Sequence, residues 1–224
     1  MFRIKICGIT RTEDAVAAAN LGADAIGLNF YEKSPRCLSV EIATRIASQV
    51  PPIVCKIGVF VNHPIDHIKR ICDEVGLDLI QLHGDEPNEV IHQLAPRLVV
   101  RAIRCTQDGM EMASQLADNC PTRLSNLCAL LFDAHQPGIY GGTGKLVDWE
   151  MLQAWSAQHT GTNVILAGGL NPENVLDAIR VARPSAVDTA SGVESSPGEK
   201  CKDLLGEFIA NAKLGFEDIH DTGD

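Results

Sequence analysis

TEDAVAAANLGADAIGLNF, residues 12–30, joins a helical pattern to a strand pattern through a single glycine. The alanines favour helix, and Thr12 stands where it would cap the first turn. Gly22 falls where such a helix must stop, and Asp24 opens the apolar run that follows. Val75-Gly76-Leu77-Asp78 repeats the device. Working outward, apolar runs of strand length alternate with helical stretches such as VEIATRIASQV (40–50) along the whole chain. Strands are expected near 2–7, 24–30, 53–61, 77–82, 98–103, 128–134, 163–168 and 185–190. Near-continuous apolar strands, each followed by a helix, belong to parallel sheets covered by helices. Eight such units in 224 residues fit a single eight-stranded parallel β/α (TIM) barrel better than a doubly wound sheet, which uses fewer strands at this length. No linker divides the chain, so residues 1–214 read as one barrel domain and 215–224 as a polar acidic tail.

Hydrophobic residues make up 45% of the chain and aromatics 4%, which suits a core of Val, Ile, Leu and Ala. A net charge of -10 with no cluster of Lys and Arg argues against nucleic acid as a partner, because phosphate backbones are held by clustered cations. The eight cysteines show no C-x-x-C and no zinc spacing or disulfide framework. There is no signal-peptide pattern, and no apolar run approaches the roughly 20 residues a membrane span needs. The expected setting is the cytoplasm, without membrane contact, and both a monomer and a homodimer are compatible with the fold.

In a β/α barrel the carboxyl ends of the strands gather on the face where chemistry occurs. Cys7 ends the first strand, and Asp133 follows four apolar residues of the sixth. A cysteine alone reads as core filling, and an aspartate alone as a loop cap. Arg36, on the short loop Tyr31–Arg36, offers a planar fork suited to a carboxylate or phosphate, although an isolated arginine is more often a solvated one. Phosphate gives the sharper signal. Gly168 and Gly169 precede Asn171-Pro172, a helix start with Asn capping and Pro at its first position, and Ser191-Gly192 follows the eighth strand. Barrel phosphate sites are built from the loops after strands seven and eight with a short extra helix. Gly138–Lys145 lacks the P-loop form and reads instead as a loop closing over the mouth. His83 points toward the mouth, but one histidine is no metal site, and His63 with His67 lack a third ligand. No catalytic metal is expected.

Taken together, KICGIT (5–10), SPR (34–36), GVFVN (58–62), QLHGDE (81–86), GGTGK (141–145) with Asp148-Trp149, LAGGLNPENV (166–175) and SGVES (191–195) closely resemble the phosphoribosylanthranilate isomerases. The resemblance implies an Amadori rearrangement of N-(5-phosphoribosyl)anthranilate to 1-(2-carboxyphenylamino)-1-deoxyribulose 5-phosphate, without a cofactor. It implies that Cys7 is the general base, Asp133 the general acid, and Arg36 the partner of the anthranilate carboxylate. Gly168, Gly169, Ser191 and Gly192 would hold the phosphate, with His83 and Asp188 lining the mouth. A free thiol, with a pKa of about 8.5, and a free aspartate, near about 3.9, would need opposite shifts to act as base and acid at pH 7.

The chain departs from the family pattern at Ala190, where serine is common, at Cys37, often aromatic, and at Leu146-Val147. Three rival readings stand beside the first. The related histidine-pathway isomerase binds two phosphates and has an aspartate in place of the thiol, a pentose-phosphate epimerase needs metal ligands on several strand ends, and a silent ligand-binding barrel has no reason to keep both Cys7 and Asp133.

Overall fold

The computed structural model describes residues 1–123, 126–134 and 147–221. The glycine-rich Gly138–Lys145 segment, with Leu146, lies outside them. Eight parallel strands close into a barrel in sequence order: β1 Ile4–Ile6, β2 Ala25–Asn29, β3 Cys55–Phe60, β4 Leu79–Leu82, β5 Val99–Arg104, β6 Leu127–Asp133, β7 Val164–Leu166 and β8 Ala186–Thr189. Every expected strand is present, six of them trimmed and two, β5 and β6, shifted by one residue. β1 pairs with β8, so Lys5 lies opposite Asp188 and the first strand closes on the last.

The repeated glycine and aspartate have separate jobs. Helix α1, Thr12–Leu21, ends at Gly22 and α3, Ile65–Val75, at Gly76, both glycines in the left-handed conformation. The aspartates reach sideways to the preceding strand. Asp24 Oδ2 accepts from the N–H groups of Arg3 and Ile4, both at 2.9 Å, and Asp78 Oδ2 accepts from Lys56 N–H at 2.8 Å. Each caps the start of a neighbouring strand and helps fix the register. The expected cap at Thr12 is corrected. Thr12 is already helical, Arg11 holds the cap position without a side-chain cap bond, and the acidic Glu13 and Asp14 occupy the first turn.

Strand alternation sorts the side chains into two cores. Ile57, Val100, Leu131 and Ile165, with Ala25, Ala129 and Ala186, fill the barrel interior. Ile6, Leu28, Phe60, Leu130 and Phe132 pack outward against the helices. Such burial contributes about 1.5–3 kcal/mol per large side chain.

The boundary of the tail at 215 is also corrected. Helix α8 runs from Lys202 to Asp221 without a break, and Phe216 is buried within it. Gly215 permits close packing there, since a Cβ on it would lie 3.1 Å from Ile179. Glu217 is exposed on the outer face of a docked helix rather than part of a frayed end. Among the described residues no helix is long and apolar enough to cross a membrane.

Candidate active site

At the carboxyl end of the barrel a cavity of about 700 Å³, open to solvent, is lined by Cys7, Arg36, His83, Asp133, Gly168, Gly169, Asp188 and Ser191, among others. All the candidates named from the sequence except Gly192 line this one cavity, and Gly192 sits in the turn directly behind Ser191.

Cys7 follows the last residue of β1 and donates its backbone N–H to Thr189 of β8 at 2.8 Å. Its side chain is half-buried. Burial pushes the thiol pKa up, and Lys5 is the largest influence in the other direction. Asp133 ends β6, 6% exposed. One of its oxygens, Oδ1, accepts from Ala134 N–H at 2.9 Å, and Oδ2 lies 3.3 Å from Nε2 of His83. On its other side His83 Nδ1 is 2.7 Å from Gln81 Nε2, also an inward position of β4. As the amide is placed, Gln81 donates to Nδ1, so the ring proton sits on Nε2 and points at Asp133.

The loop after β2 is stiffened by its own side chains. Asn29 Nδ2 donates to Ser34 Oγ at 3.2 Å, and Ser34 Oγ accepts from the backbone N–H of Arg36 at 3.1 Å. Glu194 then grips the Arg36 guanidinium along one edge, Nε to Oε1 at 2.8 Å and Nη2 to Oε2 at 2.5 Å. Lys200 Nζ holds the same carboxylate at 2.8 Å and the Ala190 carbonyl at 2.9 Å. Glu194, with two cationic partners outweighing its burial, is held below the usual carboxylate range. Burial lowers the Lys200 pKa despite that partner. Glu194 and Lys200 belong to a small antiparallel hairpin, β9 Glu194–Ser196 and β10 Glu199–Lys200. It fastens the β1 loop as well, since Thr10 Oγ1 donates to Gly198 O and Lys200 N–H donates to Asp14 Oδ2 at 3.0 Å.

The two glycine turns lie against each other. Gly168 and Gly169 both have positive φ, at 79° and 69°. A Cβ on Gly192 would fall 1.9 Å from the Leu170 carbonyl oxygen, so only glycine permits this approach. Thr189 Oγ1 donates to the same carbonyl at 2.7 Å. Among the described residues, none takes up the backbone N–H groups of Gly169, Ser191 or Gly192. The expected helix after β8 is a single 3₁₀ turn, Ser191–Val193. The start of helix α7, Val175–Ala182, is also shifted: Asn174 holds the cap position, while Asn171 Oδ1 accepts from the N–H groups of Glu173 and Asn174 at 2.9 and 3.1 Å, in the turn before the helix.

QLHGDE and GVFVN prove to be one scaffold. Glu86 accepts from Arg101 Nη1 at 2.6 Å, Asn62 N–H at 2.6 Å and Gly84 N–H at 2.9 Å, while Asn62 Oδ1 accepts from Asp85 N–H at 2.8 Å. The loop that carries His83 is thus fixed from below. Lys5, Gln81, Glu194 and Lys200 escaped the sequence reading. Lys5 had a signal, as a charge on the same strand face as Cys7 between two isoleucines. Asp188 is no simple rim residue. Its Oδ2 pairs with Lys5 Nζ at 2.9 Å inside the barrel, and its Oδ1 is buried without a described partner. Among the described residues no group of three or more His, Cys, Asp or Glu is placed to hold a metal ion.

A closed parallel β/α barrel with a thiol, a carboxylate and two glycine turns gathered in one cavity at the carboxyl ends of its strands has the build of a β/α-barrel enzyme. The match to known proteins narrows this. The family model for N-(5'-phosphoribosyl)anthranilate isomerase matches residues 4–211. A relative of that name from Neisseria gonorrhoeae is 45% identical over 210 residues, covering 94% of this chain and 96% of its own. The solved phosphoribosylanthranilate isomerase of Thermotoga maritima is 41% identical with a TM-score of 0.84, covering 96% of this chain and 100% of that one. A further isomerase structure, in complex with reduced 1-(o-carboxyphenylamino)-1-deoxyribulose 5-phosphate, is 40% identical with a TM-score of 0.82 over 96% of this chain and 100% of that one. The chain belongs to the phosphoribosylanthranilate isomerase family, enzymes of tryptophan biosynthesis.

Proposed function

We propose that the reaction runs by general acid–base catalysis, with Asp133 as acid and Cys7 as base. The observation that carries this is their common cavity, shared with the Gly168-Gly169 and Ser191-Gly192 turns. A phosphate on the unclaimed N–H groups of those turns anchors one end of the substrate. Asp133 protonates the ribose ring oxygen, and the ring opens to a Schiff base. Cys7 removes the proton from C2 to give the enolamine, which tautomerises to the aminoketose. His83, hydrogen-bonded to Asp133, orients the acid. The open Oδ1 of Asp188 accepts from a sugar hydroxyl.

Arg36 receives the anthranilate carboxylate. Glu194 uses one N–H on Nε and one on Nη2, which leaves three of the five guanidinium N–H groups, two on Nη1 and one on Nη2, for a second carboxylate. The chemistry needs neither metal nor redox cofactor, since both proton transfers fall to side chains of this chain.

Loss of substrate fluorescence measures turnover directly. Wild-type protein should turn over in the presence of a chelator, while Cys7→Ser and Asp133→Asn lose about 10²-fold or more in kcat. A Cys7→Ala protein as active as wild type rejects the base assignment. Because burial raises the Cys7 pKa and the base acts as thiolate, kcat/KM should climb with pH through neutrality.

A further inference from the structure

The acid–base reading leaves Lys5 without a task, yet its ammonium has no solvent exposure and sits inside the barrel. Alternation along β1 puts Lys5 and Cys7 on the same inner face, two residues apart. From β8, Asp188 pins the ammonium at 2.9 Å. The ammonium and the Cys7 thiol are near enough for each to act on the other's charge. Beside the sulfur stands Gly27 of β2, where a Cβ would lie 2.6 Å from Sγ. The thiol therefore lies against bare backbone, on the strand face that carries a fixed cation.

We propose that Lys5, pinned by Asp188, is the positioning residue that holds the Cys7 sulfur and stabilises its thiolate. This rests on the reading of Cys7 as the base. A half-buried thiolate is only partly solvated by water, so a cation within a few ångströms stabilises it. Lys200, from β10, favours the thiolate less strongly, and Arg36, from the loop after β2, also interacts with it. Asp188 opposes it, while Asp133 and His83 act on Asp188 from across the mouth, and Cys55 neighbours Lys5 on the barrel floor. Of these, only Lys5 combines positive charge, complete burial and a place pinned on the same strand face as Cys7. When Cys7 takes the substrate proton it becomes a neutral thiol, and Lys5 keeps its charge against Asp188.

The test is the pH dependence of Cys7 alkylation by iodoacetamide on the free protein, read by mass spectrometry of the Cys7 peptide. It is run on wild type, Lys5→Met, Asp188→Asn and the double variant. Lys5→Met should move the midpoint up by about one pH unit or more, and Asp188→Asn should move it down. Should Lys5→Met fail to fold with Asp188 left unpaired, the double variant removes both charges together. Its midpoint should lie above that of Asp188→Asn alone, and the rising limb of kcat/KM should follow in the soluble variants. Equal midpoints in Asp188→Asn and the double variant overturn the proposal. An active Cys7→Ala protein overturns instead the base assignment, with the alkylation shift left standing.

Discussion

Glu194 holds Arg36 by the edge of its guanidinium, across 158 residues of chain, and leaves the end of the fork unclaimed. The pair does not quench the arginine so much as aim it. Replacing Glu194 by Gln removes the charge that fixes the fork and leaves Lys200, whose side chain is fully buried, without its carboxylate partner. KM for the substrate should rise about tenfold, with kcat less affected, as expected when a binding group loses orientation. Steady-state kinetics on Glu194→Gln beside Arg36→Met check this, and the arginine variant should be the worse binder. Equal KM values for wild type and Glu194→Gln would mean that Ser34 and Asn29 suffice to aim the loop.

Gly192 offers a cleaner probe of the phosphate cradle. In Gly192→Ala the new methyl group meets the Leu170 carbonyl at 1.9 Å, so the two turns must part. Competitive inhibition by inorganic phosphate should weaken about tenfold or more, a loss of at least about 1.4 kcal/mol. KM should rise with it. An unchanged inhibition constant would place the phosphate elsewhere.

Arg101 and Glu86 face each other at 2.6 Å with both side chains 3% exposed. Arg101→Met strands a carboxylate that still accepts two backbone N–H bonds. Breaking such a buried pair from one side should lower the unfolding free energy by about 3 kcal/mol. Urea denaturation measures it. Replacing both partners with apolar residues should recover part of the loss, because no charge is then left unpaired.

The cysteines outside the site predict how stability falls in alkali. Burial raises the thiols of Cys55 and Cys105 to about 12 and that of Cys72 to about 11, from 9.0. Their folded pKa values lie above the unfolded one, so the stability they contribute is complete below about pH 9 and is lost as pH rises toward 11 or 12. The urea midpoint should drop over that window, and Cys72→Ala with Cys105→Ala should flatten the slope. Equal slopes in variant and wild type would count against ionisation of these thiols as the cause.

The barrel was legible because its helix stops and strand starts are local. Leu21-Gly22-Ala23-Asp24 carries both signals within four residues, and glycine and aspartate act there for reasons that short-range chemistry supplies. Cys7, Asp133 and the paired glycines were legible by their places at strand ends. Lys5 was not, since its meaning depends on Asp188, 183 residues away, which only the closing of β1 on β8 brings alongside. Glu194 was hidden in the same way, as a polar residue with no local cue that Arg36 waits for it. The end of the chain misled through composition. Its acidic residues obscured Phe216 and Ile219, which pack on the core at helical spacing.

That closing seam sets the order in which the enzyme can come into being on the ribosome. Cys7 and its lysine neighbour, two residues before it, are made well ahead of β8. Asp188 and the hairpin ending at Lys200 come later, so Lys5 has no partner across the seam until β8 has emerged. A nascent fragment that stops short of β8 carries the sulfur of Cys7 but lacks the lock across β1 and β8.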